Sequence, residues 1–196
     1  MPISKVGKIA IATVSAGGVS GGVAYGYHEF TKVTFKDKLG KNLIKQDEAE
    51  KWKARVATLK ADTSALSKSL KLVKDADDST GDKVKEWCED SLKNKFTSED
   101  QGFKEVQKYC TYNIKDKVSG AIEISRWSNT TNNLKLKSPA PNTVLSKEMT
   151  RIKNELTKSV SPNENALRDW CKATYEKPFK DDKDPDYLDA SVYCVA

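Results

Sequence analysis

The tryptophans and cysteines of this chain, four of each, fall into one order that occurs twice, and no other feature constrains the fold as strongly. Trp87-Cys88 recurs as Trp170-Cys171, and Tyr109-Cys110 recurs as Tyr193-Cys194. Upstream, Phe35-Lys-Asp-Lys-Leu39-Gly40 returns as Ile114-Lys-Asp-Lys-Val118-Ser-Gly120, and Lys51-Trp52 returns as Arg126-Trp127. No tryptophan or cysteine is left over. The two cysteine pairs span 22 and 23 positions. Chance does not readily produce such a pattern, so the body of the chain reads as two tandem copies of one unit, residues 31–110 and 111–196.

Each copy reads as helical, and strand signals are nearly absent. Trp52, Val56, Leu59, Thr63, Leu66, Leu70 and Val73 alternate steps of four and three, the beat of one long helical face. Leu145, Met149, Ile152 and Leu156 repeat it. Ser161-Pro162-Asn163-Glu164 reads as a capping box with proline at the first helical position, opening the helix of Trp170 and Cys171. Its equivalent opens near Asp78–Thr80. A shorter helix follows from Ser98 to Cys110, with a counterpart starting at Asp184-Pro185, while residues 128–141 read as a polar loop. Both cysteines of a copy then sit on consecutive antiparallel helices. Of the three pairings open to four cysteines, the repeat selects Cys88–Cys110 with Cys171–Cys194. A bridge closing about 22 residues stabilises by roughly 3 kcal/mol, a large share for a unit of this size. The competing reading is four reduced, buried cysteines acting as small hydrophobes. Zinc is disfavoured, because no C-x-x-C pair exists. Trp52, Trp87, Trp127 and Trp170 are expected as core aromatics of the repeat.

Residues Ile9–Tyr27 carry no charge, and nineteen residues at about 1.5 Å each reach roughly the hydrocarbon thickness of a bilayer. Lys5 and Lys8 precede the run, and Tyr25 and Tyr27 close it as interfacial aromatics do. Gly18, Gly22 and Gly26 recur at four-residue spacing, a row along which two helices approach closely in lipid and form a homo-oligomer. Residues 1–30 are therefore expected as a single-pass membrane anchor. A cleaved signal peptide competes, since Gly22 and Ala24 are suitably small for a cut before Tyr25. A glycine loop of a dinucleotide fold is a weaker fit, because Ala16 replaces the first glycine and alternating strands and helices do not follow. Five lysines after the run (Lys32, Lys36, Lys38, Lys41, Lys45) argue for a cytoplasmic body. Long domains cross regardless of such charge, and disulfides place the body outside.

The net charge of +6 does not indicate a nucleic-acid partner. Only Arg55, Arg126, Arg151 and Arg168 are arginines among 34 basic residues, and the lysines are spread among acids as a solvated surface. The single histidine, His28, makes a histidine triad or zinc-histidine cluster hard to build. Glu48/Glu50, Asp77/Asp78, Glu99/Asp100 and Asp181/Asp182 fall in hydrophilic turns or on helix surfaces, not in a visible cleft. No serine-hydrolase elbow or phosphate loop is present. The expectation is no catalytic residue, no cofactor and no metal.

A short glycine- and alanine-rich anchor, [Phe/Ile]-Lys-Asp-Lys-[Leu/Val], a spaced tryptophan, Trp-Cys and a closing Tyr-Cys together resemble the large paralogous families of uncharacterised proteins in haemotropic mycoplasmas. That resemblance implies a wall-less bacterium whose membrane proteins face the host, with paralogue expansion suggesting antigenic variation. The insert at 128–141 departs from it. The expected function is a membrane-anchored, surface-exposed structural or interaction protein, an antigen or host-contact protein with a host surface protein as partner. Two alternatives remain open here: a secreted enzyme or effector with an unrecognised site, and a cytoplasm-facing, membrane-tethered scaffold with free thiols.

Overall fold

Two capping boxes set the geometry of two similar stretches of chain. Thr34 caps helix α1 (Phe35–Leu39), its hydroxyl accepting the Asp37 N–H while the Asp37 carboxylate accepts the Thr34 N–H. Asn113 and Asp116 repeat the arrangement at helix α6 (Ile114–Lys117). Each short helix buries its first apolar residue, Phe35 or Ile114, and turns the chain back toward a cysteine. These contacts come from a computed structural model that describes residues 32–196. The expected membrane run, Ile9–Tyr27 with Gly18, Gly22 and Gly26, lies outside the described residues. Among the described residues no helix is long and apolar enough to cross a membrane.

Val33–Ala196 forms one compact, mostly helical unit. After α1 come α2 (Ala49–Ala61), α3 (Lys68–Asp75), α4 (Asp82–Ser91) and α5 (Gln101–Cys110). After α6 come two single-turn helices, α7 (Asn129–Asn132) and α8 (Leu134–Lys137), then α9 (Lys147–Leu156), α10 (Ala166–Tyr175) and α11 (Pro185–Tyr193). Helices α4 and α5 pack as one pair, α10 and α11 as another, and each pair carries one disulfide. The buried positions of α10 are Leu167, Trp170, Cys171, Thr174 and Tyr175, an i, i+3, i+4, i+7, i+8 stripe that needs a partner on one side only. Helix α4 presents Val84, Trp87, Cys88 and, just past its end, Leu92 on the same beat, around which a first core forms with Phe35, Phe103, Val106 and Tyr109. A second core gathers Ile114, Leu136, Met149, Ile152, Leu156 and Leu167.

The backbone joins these pieces in a pattern that occurs in both halves. The amide of Phe35 donates to Asn94 O and that of Ile114 to Lys177 O, both at 2.9 Å. Ile44 donates to Cys110 O (3.0 Å) and Ile122 to Cys194 O (2.9 Å). Phe96 donates to Val33 O, and Phe179 to Tyr112 O. Isolated antiparallel bridges fall at Thr34–Lys95 and Asn113–Pro178, then at Leu43–Thr111 and Ala121–Val195. The halves are also stitched across residue 110. Asn42 donates to the carbonyls of Phe179 and Lys180, Phe179 belongs to the first core, and Tyr187 touches both.

Several local expectations are corrected. The expected long helix from Trp52 to Val73 is two helices, broken at Asp62. That residue is extended, with ψ 121°, and its carboxylate is held by Ser64 N–H, Lys108 and Tyr109. Asp62-Thr-Ser compete with the helical backbone for hydrogen bonds, and Ser67 starts α3 afresh as its cap. Ser161 is not a helix cap. It sits at φ 51°, outside the extended region usual for a serine cap, and α10 begins at Ala166, well after it. Glu164 is occupied elsewhere, by Lys137 and Asn133. Helix α5 starts at Gln101, capped by Asp100 rather than Ser98. The 128–141 loop contains α7 and α8, and Leu136 and Asn133 within it are fully buried.

Gly81 carries a strict demand. It caps α4 at φ 93°, and a Cβ there would stand 2.6 Å from the Trp52 backbone carbon. Gly40 also has positive φ, 37°, but has nothing within 4 Å of a built Cβ. Gly81→Ala is expected to lower stability by about 2–4 kcal/mol, overpacking added to left-handed strain. Gly40→Ala should cost about 1 kcal/mol, strain alone. Chemical denaturation of both variants measures the difference, and equal losses would contradict the close approach of α4 to Trp52.

Candidate functional site

The Cys88–Cys110 and Cys171–Cys194 bonds hold their helix pairs at Cα–Cα distances of 5.6 and 5.8 Å, and no cysteine among the described residues is free. Against the first bond lies a pocket of about 520 Å³. Its floor is apolar, made by Leu43, Ile44, Trp52, Leu92 and the disulfide itself. Lys36, Glu89, Lys93 and Gln46 stand around it. Trp52 is fixed there because its indole N–H donates to the Lys45 carbonyl at 3.0 Å, so the ring is a rigid wall.

The matching place beside the second bond is filled. Tyr175 follows Cys171 by four residues, as Leu92 follows Cys88. Its ring is 2% exposed, and its hydroxyl donates to the Cys194 carbonyl with the Ile122 amide beside it. Burial pushes the Tyr175 hydroxyl up to about 12, so it stays protonated and remains a donor. Ile122 and Cys194 stand where Ile44 and Cys110 line the first pocket, as their shared amide–carbonyl bonds show. Leucine stands beside the pocket of the first half at the position where the buried tyrosine stands in the second.

The polar residues elsewhere act as joints and caps. Arg55 is 2% exposed, and its guanidinium donates to Thr111 O at 2.9 Å and to the Asp116 carboxylate, tying α2 to the cap of α6. Asp62 is nearly enclosed. Burial pushes its carboxyl up, but bonds from Lys108, Tyr109 and Ser64 outweigh this and hold it well below the usual range. Burial and the same Asp62 bond push the Tyr109 hydroxyl far up. A smaller pocket, about 290 Å³, adjoins this group and includes Glu105, one carboxylate oxygen of which has no partner.

Of the acidic pairs singled out in the sequence, Asp78 receives the N–H groups of Thr80, Gly81, Lys83 and Val84, and Asp100 caps α5. Asp181 accepts the Lys183 N–H. Glu48 binds Lys45 N–H, Lys51 and the Tyr112 hydroxyl. Each of these carboxylates is engaged as a cap or a joint. Among the described residues no group of three or more histidines, cysteines or acids is placed to hold a metal.

Of the four expected core tryptophans, Trp52 and Trp170 are buried, while Trp87 and Trp127 are half-buried against the two cores. The Leu92/Tyr175 difference escaped sequence reading, although the shared Trp-Cys motif supplies the alignment that reveals it. Arg55 and Phe179 were missed because only the tertiary contacts bury them. No protein-family model, no curated protein and no solved structure matches the chain.

Glu48 yields a pH-dependent expectation. Burial pushes its carboxyl up, yet the bonds from Tyr112, Lys51 and Lys45 lower it from 4.5 to about 2. A folded value below the unfolded one means its stabilisation is complete above pH 4.5 and is lost as pH falls toward 2. Glu48→Gln should cost about 1 kcal/mol near neutral pH, reduced by partial exposure. Urea titrations should show that gap between the two proteins closing at acid pH. A gap independent of pH would mean the carboxylate's charge has no part in the joint.

Proposed function

We propose that this chain is a membrane-anchored protein whose disulfide-closed helical body lies outside the cytoplasm and serves as a structural or interaction module. The observation that carries the reading is the pair of disulfides, which together take up all four cysteines. Such bonds form and persist in oxidising surroundings. They also suit a body whose cores are small and divided, because cross-linking restrains the unfolded chain most where burial alone is marginal. A cytoplasm-facing scaffold with free thiols finds no support in that pairing.

The anchor of this proposal is the uncharged run Ile9–Tyr27. The two halves are read as tandem copies of one unit, on the strength of the twofold Trp-Cys and Tyr-Cys order and the matched backbone bonds. The resemblance to paralogous surface families of haemotropic mycoplasmas points the same way, toward display to a host. The carboxylates named above serve caps and joints, which favours an interaction role over catalysis.

Protease treatment of intact cells, with mass spectrometry of the released peptides, tests the location. Peptides from residues 33–196 should appear before lysis. Alkylation of the same cells without reductant should leave Cys88, Cys110, Cys171 and Cys194 unlabelled. Body peptides found only after lysis, with labelled thiols, would overturn the reading.

A further inference from the structure

The contrast between the two disulfide sites tells what the open one lacks. In the second half the Tyr175 ring occupies the space beside the disulfide, and its hydroxyl reaches the Cys194 carbonyl. In the first half the corresponding side chain is Leu92, which is shorter and carries no hydrogen-bonding group, and a pocket of about 520 Å³ remains. The Cys110 carbonyl accepts one bond, from the Ile44 amide at 3.0 Å, and both residues line that pocket. A carbonyl oxygen has two lone pairs, and the equivalent Cys194 oxygen uses both. The first site thus offers a rigid aromatic wall in Trp52, an apolar floor and an acceptor with spare capacity. Lys36 stands at its rim, as does Lys93, whose ammonium is paired with Asp90 at 2.7 Å. An apolar cavity with a few convergent polar groups is the ordinary form of a small-molecule site.

We propose that this pocket binds a small phenol carrying an anionic group. Its ring would lie in the volume that Tyr175 fills in the second half, its hydroxyl would donate to the Cys110 carbonyl, and its anion would face Lys36. The pocket exceeds a single ring, which leaves room for a short linker between ring and anion. The site does not depend on the location proposed for the body, since every group in it belongs to α4 and the two residues after it, α5 and the chain between Thr34 and Trp52.

The test is calorimetric titration of the purified full chain with 3-(4-hydroxyphenyl)propionate. One saturable site is expected, with a Kd of about 0.1–1 mM for a ligand of this size. 3-Phenylpropionate, which lacks the hydroxyl, should bind about 5- to 10-fold more weakly, the worth of one hydrogen bond. Leu92→Tyr should plug the site, removing binding while raising the melting temperature. Tyr175→Leu should open the second site and double the stoichiometry. If that variant fails to fold, Leu92→Tyr alone decides the matter. No saturation of the wild-type chain by about 10 mM, far above the affinity expected for this ligand, would overturn the proposal. So would undiminished binding by Leu92→Tyr, and equal affinity for both acids would overturn the placement of the hydroxyl.

Discussion

The Cys88–Cys110 and Cys171–Cys194 bonds are the constraint on which the rest of the body depends. Each ties the apolar faces of two consecutive helices, α4 to α5 and α10 to α11, and so fixes where the second cysteine's carbonyl points. That carbonyl receives the amide of Ile44 or Ile122, which brings back the chain that left the capped helix α1 or α6. The tryptophans and phenylalanines then pack on a frame already closed. Neither core is large, and loop closure contributes roughly 3 kcal/mol per bridge, a sizeable fraction of the stability of an ordinary domain.

The joint between the halves is of a different kind. Arg55, 2% exposed, reaches from α2 to the partly buried Asp116 carboxylate that also caps α6. Buried ion pairs contribute little net stability compared with apolar packing, but leaving one partner alone is costly. The arrangement therefore works as a position lock: a displaced second half would strand a guanidinium. Asn42 on the Phe179 and Lys180 carbonyls and Phe179 in the first core act in the same direction through neutral contacts. Asp62, Asp78 and Glu48 likewise convert surface-looking acids into fixed corners of the fold.

What the sequence disclosed follows from which interactions are local. Helical periodicity in α4, α9 and α10, proline at the start of α11 and the cysteine pairing were all readable, because each rests on short-range spacing or on the recurring Trp-Cys and Tyr-Cys order. The break at Asp62 was not, since the apolar beat continues through it, and the local Ser64 bond is joined by the distant Lys108 and Tyr109 in holding the turn. Ser161-Pro162-Asn163-Glu164 had the residue types of a cap, but Lys137 and Asn133 claim Glu164 from elsewhere in the chain. The buried turns α7 and α8 hid within polar letters, with Asn133 donating to the Glu164 carbonyl and Leu136 reaching the core. The pocket was not legible: Trp52, Cys88 and Cys110 were read as core and disulfide, and the Leu92/Tyr175 contrast gains meaning only when both sites are seen in space.

Native-state hydrogen exchange of the full chain carrying Cys88→Ser and Cys110→Ser tests the organising role of the disulfides most directly. If each bond closes its own frame, the amides of Ile44 and Phe96 should lose protection by about a hundredfold, the equivalent of roughly 3 kcal/mol. Ile122 and Ala196, bonded to Cys194 O and Gly120 O in the other frame, should change far less. Equal loss at all four amides, or none at Ile44 and Phe96, would contradict the account.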